Sequence, residues 1–437
     1  MEIVIKAAQF ILSLSFLIVL HELGHFIPAK IFKTRVEKFY LFFDYKYSLL
    51  KKKIGETEYG IGWIPLGGYV KISGMIDESM DTEQMKLPAQ PWEFRSKPAW
   101  QRLIIMLGGV IVNFILGILI YIMITFVWGI DFVKPADVKE GFSVHESFKQ
   151  YGFEDGDKIL KFNGAEPLDV TDVNKHLFLR EITSLEVLHQ NGATATIAIP
   201  KNIGEVMWEN GVMKPFEVRR PAIINLVTEN SPAKIAGIQV DDKIVSVNNT
   251  PIQYWNEFSA LVLKSKGEIS LGIERDSKSI NIAVTPDEKN QIGVSYSMLS
   301  GVNVQHKDYS FLESISKGNS IAIWTLKDYI TQFKYVFTKK GATSIGGFIA
   351  IGNIFPATWS WQAFWSITAF LSIMLGFMNL LPIPALDGGH VMFTLYEIIT
   401  GRKPNDKFLE YAQITGFILL IALLLLANGN DIVKLFS

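Results

Sequence analysis

Four long runs of apolar residues constrain what this chain can fold into more than any other feature. They cover residues 7–26, 103–130, 361–381 and 411–427, approximately. A helix of about 20 residues crosses the roughly 30 Å hydrocarbon layer of a bilayer. Each run could instead be a buried core helix, but four of them, in a chain with only 19% charged residues, favour a membrane protein.

Flanking basic residues predict the orientation of these runs. Lys and Arg are concentrated between Lys30 and Arg102, whereas Lys6 alone precedes the first run. Because basic loops stay on the cytoplasmic side, this loop should be cytoplasmic and residues 131–359 should lie outside. The first run has no small-residue cleavage site, so we interpret it as a retained anchor and not as a cleaved secretory signal.

The composition limits which partners and which kinds of catalytic or metal site the chain can have. The 42 Lys and Arg balance 43 Asp and Glu, which predicts no nucleic-acid partner. The chain has no cysteine, which excludes disulfides, thiol catalysis and cysteine-based zinc sites. Any metal site must therefore use carboxylates and the seven histidines.

The sequence His21-Glu22-Leu23-Gly24-His25, an HExxH motif, lies near the cytoplasmic end of the first run. Residues four apart project from one face of a helix, so both imidazoles can reach one zinc ion. Glu22 lies beside that face and can take a proton from an attacking water, as in metalloproteases. A polar helix end is the structural alternative, but it does not explain three ionisable groups at bilayer depth.

Catalytic zinc takes three protein ligands, so a third must come from elsewhere in the chain. The segment NLLPIPALDGGH at 379–390 lies near the cytoplasmic end of the third run. Its prolines break the helix and its glycines permit a tight turn, which lets Asp387 turn towards the zinc. Asp387 is the predicted third ligand, and His390 is the competing candidate. The four histidines of the outer segment are expected to be solvated or structural.

The outer segment contains an internal repeat. The stretch GFEDGDKILKFNG at 152–164 matches GIQVDDKIVSVNN at 237–249, 85 residues later. Each copy combines a glycine, a turn, Asp-Lys-Ile and an alternating strand, which is typical of hairpins. The repeat resembles tandem PDZ domains, which bind a peptide as an extra strand at a sheet edge. A purely steric or structural role is the alternative.

HExxH in the first run, together with Asn-x-x-Pro-x-Pro-x-Leu-Asp-Gly in a later one, resembles the site-2 protease family of intramembrane zinc metalloproteases. With tandem PDZ domains between the second and third spans, the chain is most similar to the bacterial regulator-of-sigma-E protease branch. This resemblance implies that His21, His25 and Asp387 bind Zn²⁺ and that Glu22 is the catalytic base. It also implies that Asn379 holds the substrate backbone or the oxyanion.

Residues 61–74, IGWIPLGGYVKISG, resemble that family's membrane-associated β-hairpin, which is thought to pair with an unwound substrate strand. The residues thereby implied to bind substrate are Gly67, Gly68, Tyr69, Val70 and Lys71. A simple amphipathic hairpin on the bilayer surface is the alternative. Two segments, GGVIVN at 108–113 and SIGGFIA at 344–350, lack the proline of the family pattern.

The predicted fold is a polytopic α-helical membrane protein with four transmembrane helices, a membrane-associated β-hairpin and two extracytoplasmic PDZ domains of the α+β class. The predicted boundaries are 1–30 for the first transmembrane helix, 31–99 for a cytoplasmic loop with the hairpin at about 58–76, 100–130 for the second transmembrane helix, 131–220 and 221–300 for the PDZ domains, 301–358 for an amphipathic connecting segment, 359–390 for the third transmembrane helix, 391–410 for a cytoplasmic loop and 411–430 for the fourth transmembrane helix.

The resemblance implies cleavage of single-span membrane proteins, such as an anti-sigma factor in regulated intramembrane proteolysis during a sigma-E stress response, or remnant signal peptides. It implies a multi-pass protein of the bacterial inner membrane, with the lipid bilayer as a partner and the PDZ domains in the periplasm. We expect these domains to act as a size filter that admits truncated substrates. The competing interpretation is a membrane scaffold with a structural zinc site and PDZ-mediated partner binding, which leaves Glu22 without a purpose.

Overall fold

The structure, a computed structural model, describes residues 2–65, 67–75 and 88–436. The chain divides into two compact units. Unit 1 comprises Met1–Gly129 and Asp308–Ser437, and unit 2 is the intervening segment Ile130–Lys307. Within the described residues, unit 1 contains four helices that are long and apolar enough to cross a membrane, which agrees with the four apolar runs of the sequence.

The first two of these helices are α1 (Glu2–Ile31) and α2 (Ala99–Trp128). Each has 30 residues and is therefore about 45 Å long, which exceeds the hydrocarbon thickness. The two backbones touch where glycines face each other, since a Cβ built on Gly24 would lie 2.4 Å from the carbonyl oxygen of Gly108. The helix α2 runs unbroken through residues 108–113, where the family pattern has a proline.

Four strands between α1 and α2 form one sheet in the order β2-β3-β1-β4. They are β1 (Val36–Leu41), β2 (Leu50–Ile54), β3 (Thr57–Ile61) and β4 (Tyr69–Ile72). The strands β2 and β3 form a hairpin, whereas β1 runs parallel to β3 and antiparallel to β4.

The sheet corrects the predicted hairpin at about 58–76. The strands β3 and β4 both fall in that segment, but β1 lies between them and pairs with each. The reason is that residues 36–41 supply a central strand whose Val36 and Tyr40 are fully buried. Within the predicted hairpin, Leu66 and Ile76 lie outside the described residues.

Unit 2 begins with β5 (Ile130–Phe132) and contains two separate hydrophobic cores. The first core draws on residues from Val133 to Phe216. Its elements are β6 (Phe142–Val144), α3 (Glu146–Lys149), β7 (Lys158–Phe162), α4 (Val173–Leu179), β8 (Ser184–Leu188), β9 (Thr194–Ala198), α5 (Ile203–Asn210) and β10 (Phe216–Val218). The strands β7, β8 and β9 form one sheet, and β6 pairs with β10.

The second core draws on residues from Ala222 to Ile292. Its elements are β11 (Leu226–Val227), α6 (Pro232–Ile235), β12 (Lys243–Val247), β13 (Thr250–Pro251), α7 (Trp255–Lys264), β14 (Ile269–Arg275), β15 (Lys278–Val284) and β16 (Val294–Ser295). The sheet order is β13-β12-β14-β15. The last strand, β17 (Gln305–Lys307), returns to pair antiparallel with β5, so the chain enters and leaves unit 2 side by side.

The sequence repeat corresponds to a repeat of structure. The strands β7 and β12 start at the Asp-Lys-Ile of each copy, and each carries a register shift just after its isoleucine, Ile159 or Ile244. The aspartates Asp157 and Asp242 are both buried, and each accepts a hydrogen bond from the backbone N–H three residues earlier at 2.8 Å. The two halves of unit 2 therefore share one local architecture.

The remaining helices complete unit 1. They are α8 (Phe311–Phe333), α9 (Lys339–Ser344), α10 (Phe348–Gly352), α11 (Trp361–Leu380), α12 (Asp387–Thr400) and α13 (Asp406–Phe436). The helix α2 is central, because it contacts α1, α8, α11 and α12. The predicted cytoplasmic loop at 391–410 is largely helical, since the chain breaks at Pro382 and Pro384 and a new helix begins at Asp387.

Candidate metal centre

Three side chains from distant parts of unit 1 meet at one point. His21 and His25 lie one turn apart on α1, with their Nε2 atoms 3.2 Å apart. Asp387, the first residue of α12, places Oδ2 3.4 Å from each of these nitrogens. The structure thus brings together the two histidines of the HExxH motif and the predicted third ligand.

This triangle of ligand atoms fits a zinc ion. Ligands around a tetrahedral zinc, at bond lengths of about 2.0–2.1 Å, are separated from one another by about 3.3–3.4 Å. Asp387 Oδ2 is buried and, among the described residues, has no hydrogen-bond partner, although both ring nitrogens are close. Two imidazoles and one carboxylate are also a set that catalytic zinc sites use, with the fourth position open to water.

Neighbouring helices orient the two histidine rings. His25 Nδ1 lies 2.8 Å from the carbonyl oxygen of Ile105 on α2. His21 Nδ1 lies 3.1 Å from the side-chain amide of Asn113, which is fully buried on the same helix. The amide nitrogen of Asn379 lies 3.3 Å from His21 Nε2. The contacts at Nδ1, with the Ile105 carbonyl and the Asn113 amide, leave Nε2 of each ring as the nitrogen that can bind a metal.

The glycine at 109 makes room for both imidazoles. A Cβ built on Gly109 would lie 2.3 Å from His25 Nε2 and 2.6 Å from His21 Cε1. Any side chain at this position of α2 would occupy the space that the rings use. The absence of a side chain at residue 109 is therefore a requirement of the site.

Glu22 lies beside His21, His25 and Asp387 in a cavity of about 90 Å³. The strand β4 forms one wall of this cavity, and its Val70 lines the cavity together with Glu22. A Cβ on Gly68 would lie 3.7 Å from Glu22 Cγ and only 2.4 Å from Ile18, so the chain before β4 passes close to α1. A carboxylate next to the predicted metal position has the location that a general base needs.

The predicted substrate-binding residues divide into two sets. Gly68, Tyr69 and Val70 line the cavity. Gly67 instead approaches the ring of Phe43, and Lys71 Nζ lies 3.6 Å from Glu37.

A polar cluster holds β4 in the sheet. The Tyr69 hydroxyl donates to Asp44 Oδ1 at 2.7 Å, and Lys38 Nζ lies 3.0 Å from Asp44 Oδ2. Burial raises the pKa of the Asp44 carboxyl, but the hydrogen bonds from Tyr69 and Lys38 outweigh that effect and hold the pKa below its ordinary value. In the described strand order β2-β3-β1-β4, β4 is the last strand.

His390 lines the same cavity, but it is not one of the three converging residues. The histidines at 145, 176, 189 and 306 belong to unit 2. There, Glu154, Asp157 and His189 form a second group of potential ligands. Both Asp157 oxygens are engaged, Oδ1 with His189 Nδ1 at 2.7 Å and Oδ2 with the Glu154 N–H. This group is therefore explained by the packing of the first core.

Sequence reasoning missed several residues that shape the centre. Ile105 acts through its backbone carbonyl, so its side-chain type carries no signal. Gly109 could have been noticed as one of two adjacent glycines in an apolar run, a pattern typical of close helix packing. Gln413, which lines the cavity from α13, could have been noticed as a polar residue inside the fourth run.

Comparisons with known proteins agree with this geometry. Residues 9–423 match the family model described as peptidase family M50. The "Regulator of sigma E protease" of Haemophilus influenzae is 28% identical over 458 residues, covering 98% of both chains. The "Regulator of sigma-E protease RseP" of Escherichia coli is 28% identical over 461 residues, again covering 98% of both chains.

A third relative, the "Putative zinc metalloprotease" of Vibrio cholerae, is 26% identical over 462 residues and 98% of both chains. The family match extends across both units and includes every residue of the metal centre. The chain therefore belongs to peptidase family M50 and is a zinc metalloprotease of the site-2 type.

Proposed function

We propose that this protein hydrolyses peptide bonds within the transmembrane segments of single-span proteins, with His21, His25 and Asp387 holding Zn²⁺ and Glu22 as the base. The observation that carries the proposal is the convergence of three potential ligand atoms, 3.2–3.4 Å apart, two of them on a helix apolar enough to span a bilayer. Ionisable groups at that depth are costly and usually functional.

The residues around the centre have different roles in peptide-bond hydrolysis. When bound, zinc lowers the pKa of water and polarises a carbonyl oxygen. Glu22 takes the proton from the attacking water and later gives it to the leaving amine. The Asn379 amide, 3.3 Å from His21 Nε2, is close enough to the ligands to donate to the developing oxyanion.

The strand β4 addresses a second difficulty, which is that a helical substrate shields its own peptide bonds. Unwinding that helix in hydrocarbon leaves backbone groups unpaired, at a cost of several kcal/mol each. A substrate strand alongside β4 would regain backbone hydrogen bonds next to Glu22. The position of β4 at the end of the strand order, with Gly68, Tyr69 and Val70 lining the cavity that holds Glu22, supports this role for the three residues. Gly67 and Lys71 would then support the strand and not contact the scissile bond.

The names of the relatives support a place in regulated intramembrane proteolysis. Two of them are named as proteases that regulate sigma E. By extension, substrates of this chain would be an anti-sigma factor and remnant signal peptides in the bacterial inner membrane. The two repeated modules of unit 2 would be periplasmic PDZ domains that filter substrates by size, and their shared local architecture supports two domains of one type.

One experiment separates a protease from a scaffold with a structural zinc site. The purified protein, reconstituted in vesicles with a tagged single-span substrate, is compared with Glu22→Gln and with Glu56→Gln, which changes an exposed carboxylate in the β2–β3 turn. We expect all three proteins to contain zinc and only Glu22→Gln to lose cleavage. Near-normal cleavage by zinc-loaded Glu22→Gln would refute the proposed mechanism.

A further inference from the structure

The loop that carries Asp387 has an unusual backbone conformation. Ala385, two residues before Asp387, has φ of +81°. An L-residue with a Cβ rarely adopts this region, because the Cβ crowds the following carbonyl oxygen. Something outside the loop must therefore hold Ala385 in this conformation.

The helix α13 contacts the loop at this point. The Ala385 N–H donates to Gln413 Oε1 at 3.2 Å. One turn further along α13, a Cβ on Gly416 would lie 1.7 Å from the Pro384 carbonyl oxygen, so the backbones pack directly. Gln413 and Gly416 are buried, whereas Ile414 and Thr415 between them are exposed. One face of α13 thus packs against the loop at 384–385.

Gln413 is also close to the metal centre. It lines the same cavity as His21, Glu22, His25 and Asp387. Its side chain is only 7% exposed, and burying an amide in an apolar helix is costly unless it forms hydrogen bonds. The contact with Ala385 gives the Gln413 oxygen such a partner.

We propose that Gln413 is a positioning residue, which holds Ala385 in the left-handed conformation and thereby sets the place of Asp387 relative to His21 and His25. This inference rests on the proposed function, since it takes Asp387 as a zinc ligand. It extends the support of the centre to the fourth membrane helix. A displacement of α13 would then be transmitted to the metal ligands through one hydrogen bond.

The test measures zinc loss to an excess of chelator from the purified full-length protein, together with its melting temperature. Gln413→Met keeps the length of the side chain but removes the acceptor. We expect zinc to leave faster, by up to about tenfold, because loss of a direct partner of a metal ligand costs about 10–100-fold in affinity and Gln413 acts one step further away, through Ala385. The control, Thr415→Val, changes an exposed residue of the same helix and should leave the rate unchanged.

A rescue variant distinguishes positioning from general stability. Ala385→Gly should retain zinc as the wild type does, because glycine adopts positive φ without strain. Added to Gln413→Met, it should restore most of the zinc retention. If Gln413→Met keeps zinc, or if Ala385→Gly gives no rescue, the inference is wrong. Asp387→Asn in the same assay tests the proposed function separately from the role of Gln413. Retention of zinc by this variant would overturn the assignment of Asp387 as a ligand.

Discussion

His25 Nδ1 lies 2.8 Å from the carbonyl oxygen of Ile105, 80 residues further along the chain. A carbonyl oxygen can only accept a hydrogen bond, so the ring must donate from Nδ1. In the neutral ring Nε2 then carries no proton, and this nitrogen faces His21 and Asp387. A backbone group of α2 therefore sets the tautomer of a proposed metal ligand on α1, which requires close packing of the two helices.

The same packing predicts a strong effect of Gly109→Ala. The new methyl group would lie 2.3 Å from His25 Nε2, so the imidazoles would have to move. We expect zinc affinity to fall by about tenfold or more, since partners that merely orient a ligand already contribute about 10–100-fold. Metal analysis after dialysis against a graded zinc buffer measures this change.

A matched control is Gly117→Ala on the same helix. There the added Cβ would meet Ile373 Cδ1 at 2.6 Å, which is the end of a flexible side chain. This variant should lose about 1–3 kcal/mol of stability at most and keep its zinc. Equal zinc loss in both variants would show that helix packing in general, and not the space at 109, governs the centre.

If Asp387 is the third ligand, substitutions of Asp387 and of the nearby His390 should have opposite effects on zinc binding. Asp387→Asn removes the charge of a converging ligand, and we expect zinc affinity to fall at least about a hundredfold. His390→Ala should keep its zinc, because His390 lines the cavity without joining the three converging residues. Full zinc occupancy in Asp387→Asn, with loss in His390→Ala, would reverse the assignment.

Asn113 gives a third prediction, about His21. The buried Asn113 Oδ1 has no partner among the described residues, while the amide nitrogen faces His21 Nδ1. Rotation of the amide by 180° brings Oδ1 to Nδ1, where it accepts the ring proton and leaves Nε2 free for zinc.

Asn113→Leu should therefore weaken zinc binding by about 10–100-fold. Asn113→Asp should retain zinc, because a carboxylate in that position also accepts from Nδ1. Zinc titration of the two variants at one pH checks the prediction. If both lose zinc to the same extent, Asn113 acts by packing and not by accepting the His21 proton.

The metal centre was predictable where local spacing determines geometry. His21 and His25 share a helix face by their separation of four residues, and the prolines before Asp387 signal a break. These patterns depend only on residues near one another in sequence. They predicted which elements carry His21, His25 and Asp387, the three residues that the structure brings together.

The strand order and the role of Gln413 could not be predicted from the sequence, because both depend on contacts between distant segments. The strand β1 separates β3 from β4, although residues 57–72 alone read as two strands and a turn. Strand order is set by which segments fill the central position, and the burial of Val36 and Tyr40 decides it here. The proposed role of Gln413 likewise depends on a contact with Ala385, 28 residues away. It also depends on the positive φ angle of Ala385, which the residue type does not predict.

The last prediction concerns unit 2, which the charge pattern predicts to lie outside the membrane. Its ends pair as β5 and β17, and Val138 forms a bridge with Val302. Residues 141–298 can therefore be replaced by a short flexible linker while this paired base remains. The deletion removes most of both hydrophobic cores together.

If the two modules exclude bulky substrates, the shortened protein should cleave intact single-span substrates that the full-length protein leaves uncut. Both proteins should cleave truncated substrates, because the three ligands and Glu22 all lie in unit 1. Gel analysis of tagged substrates with outer domains of increasing size measures the effect, and Glu22→Gln in the shortened protein controls for other proteases. A shortened protein that fails on truncated substrates and gains none of the long ones would mean that unit 2 recruits substrates, which contradicts the filter.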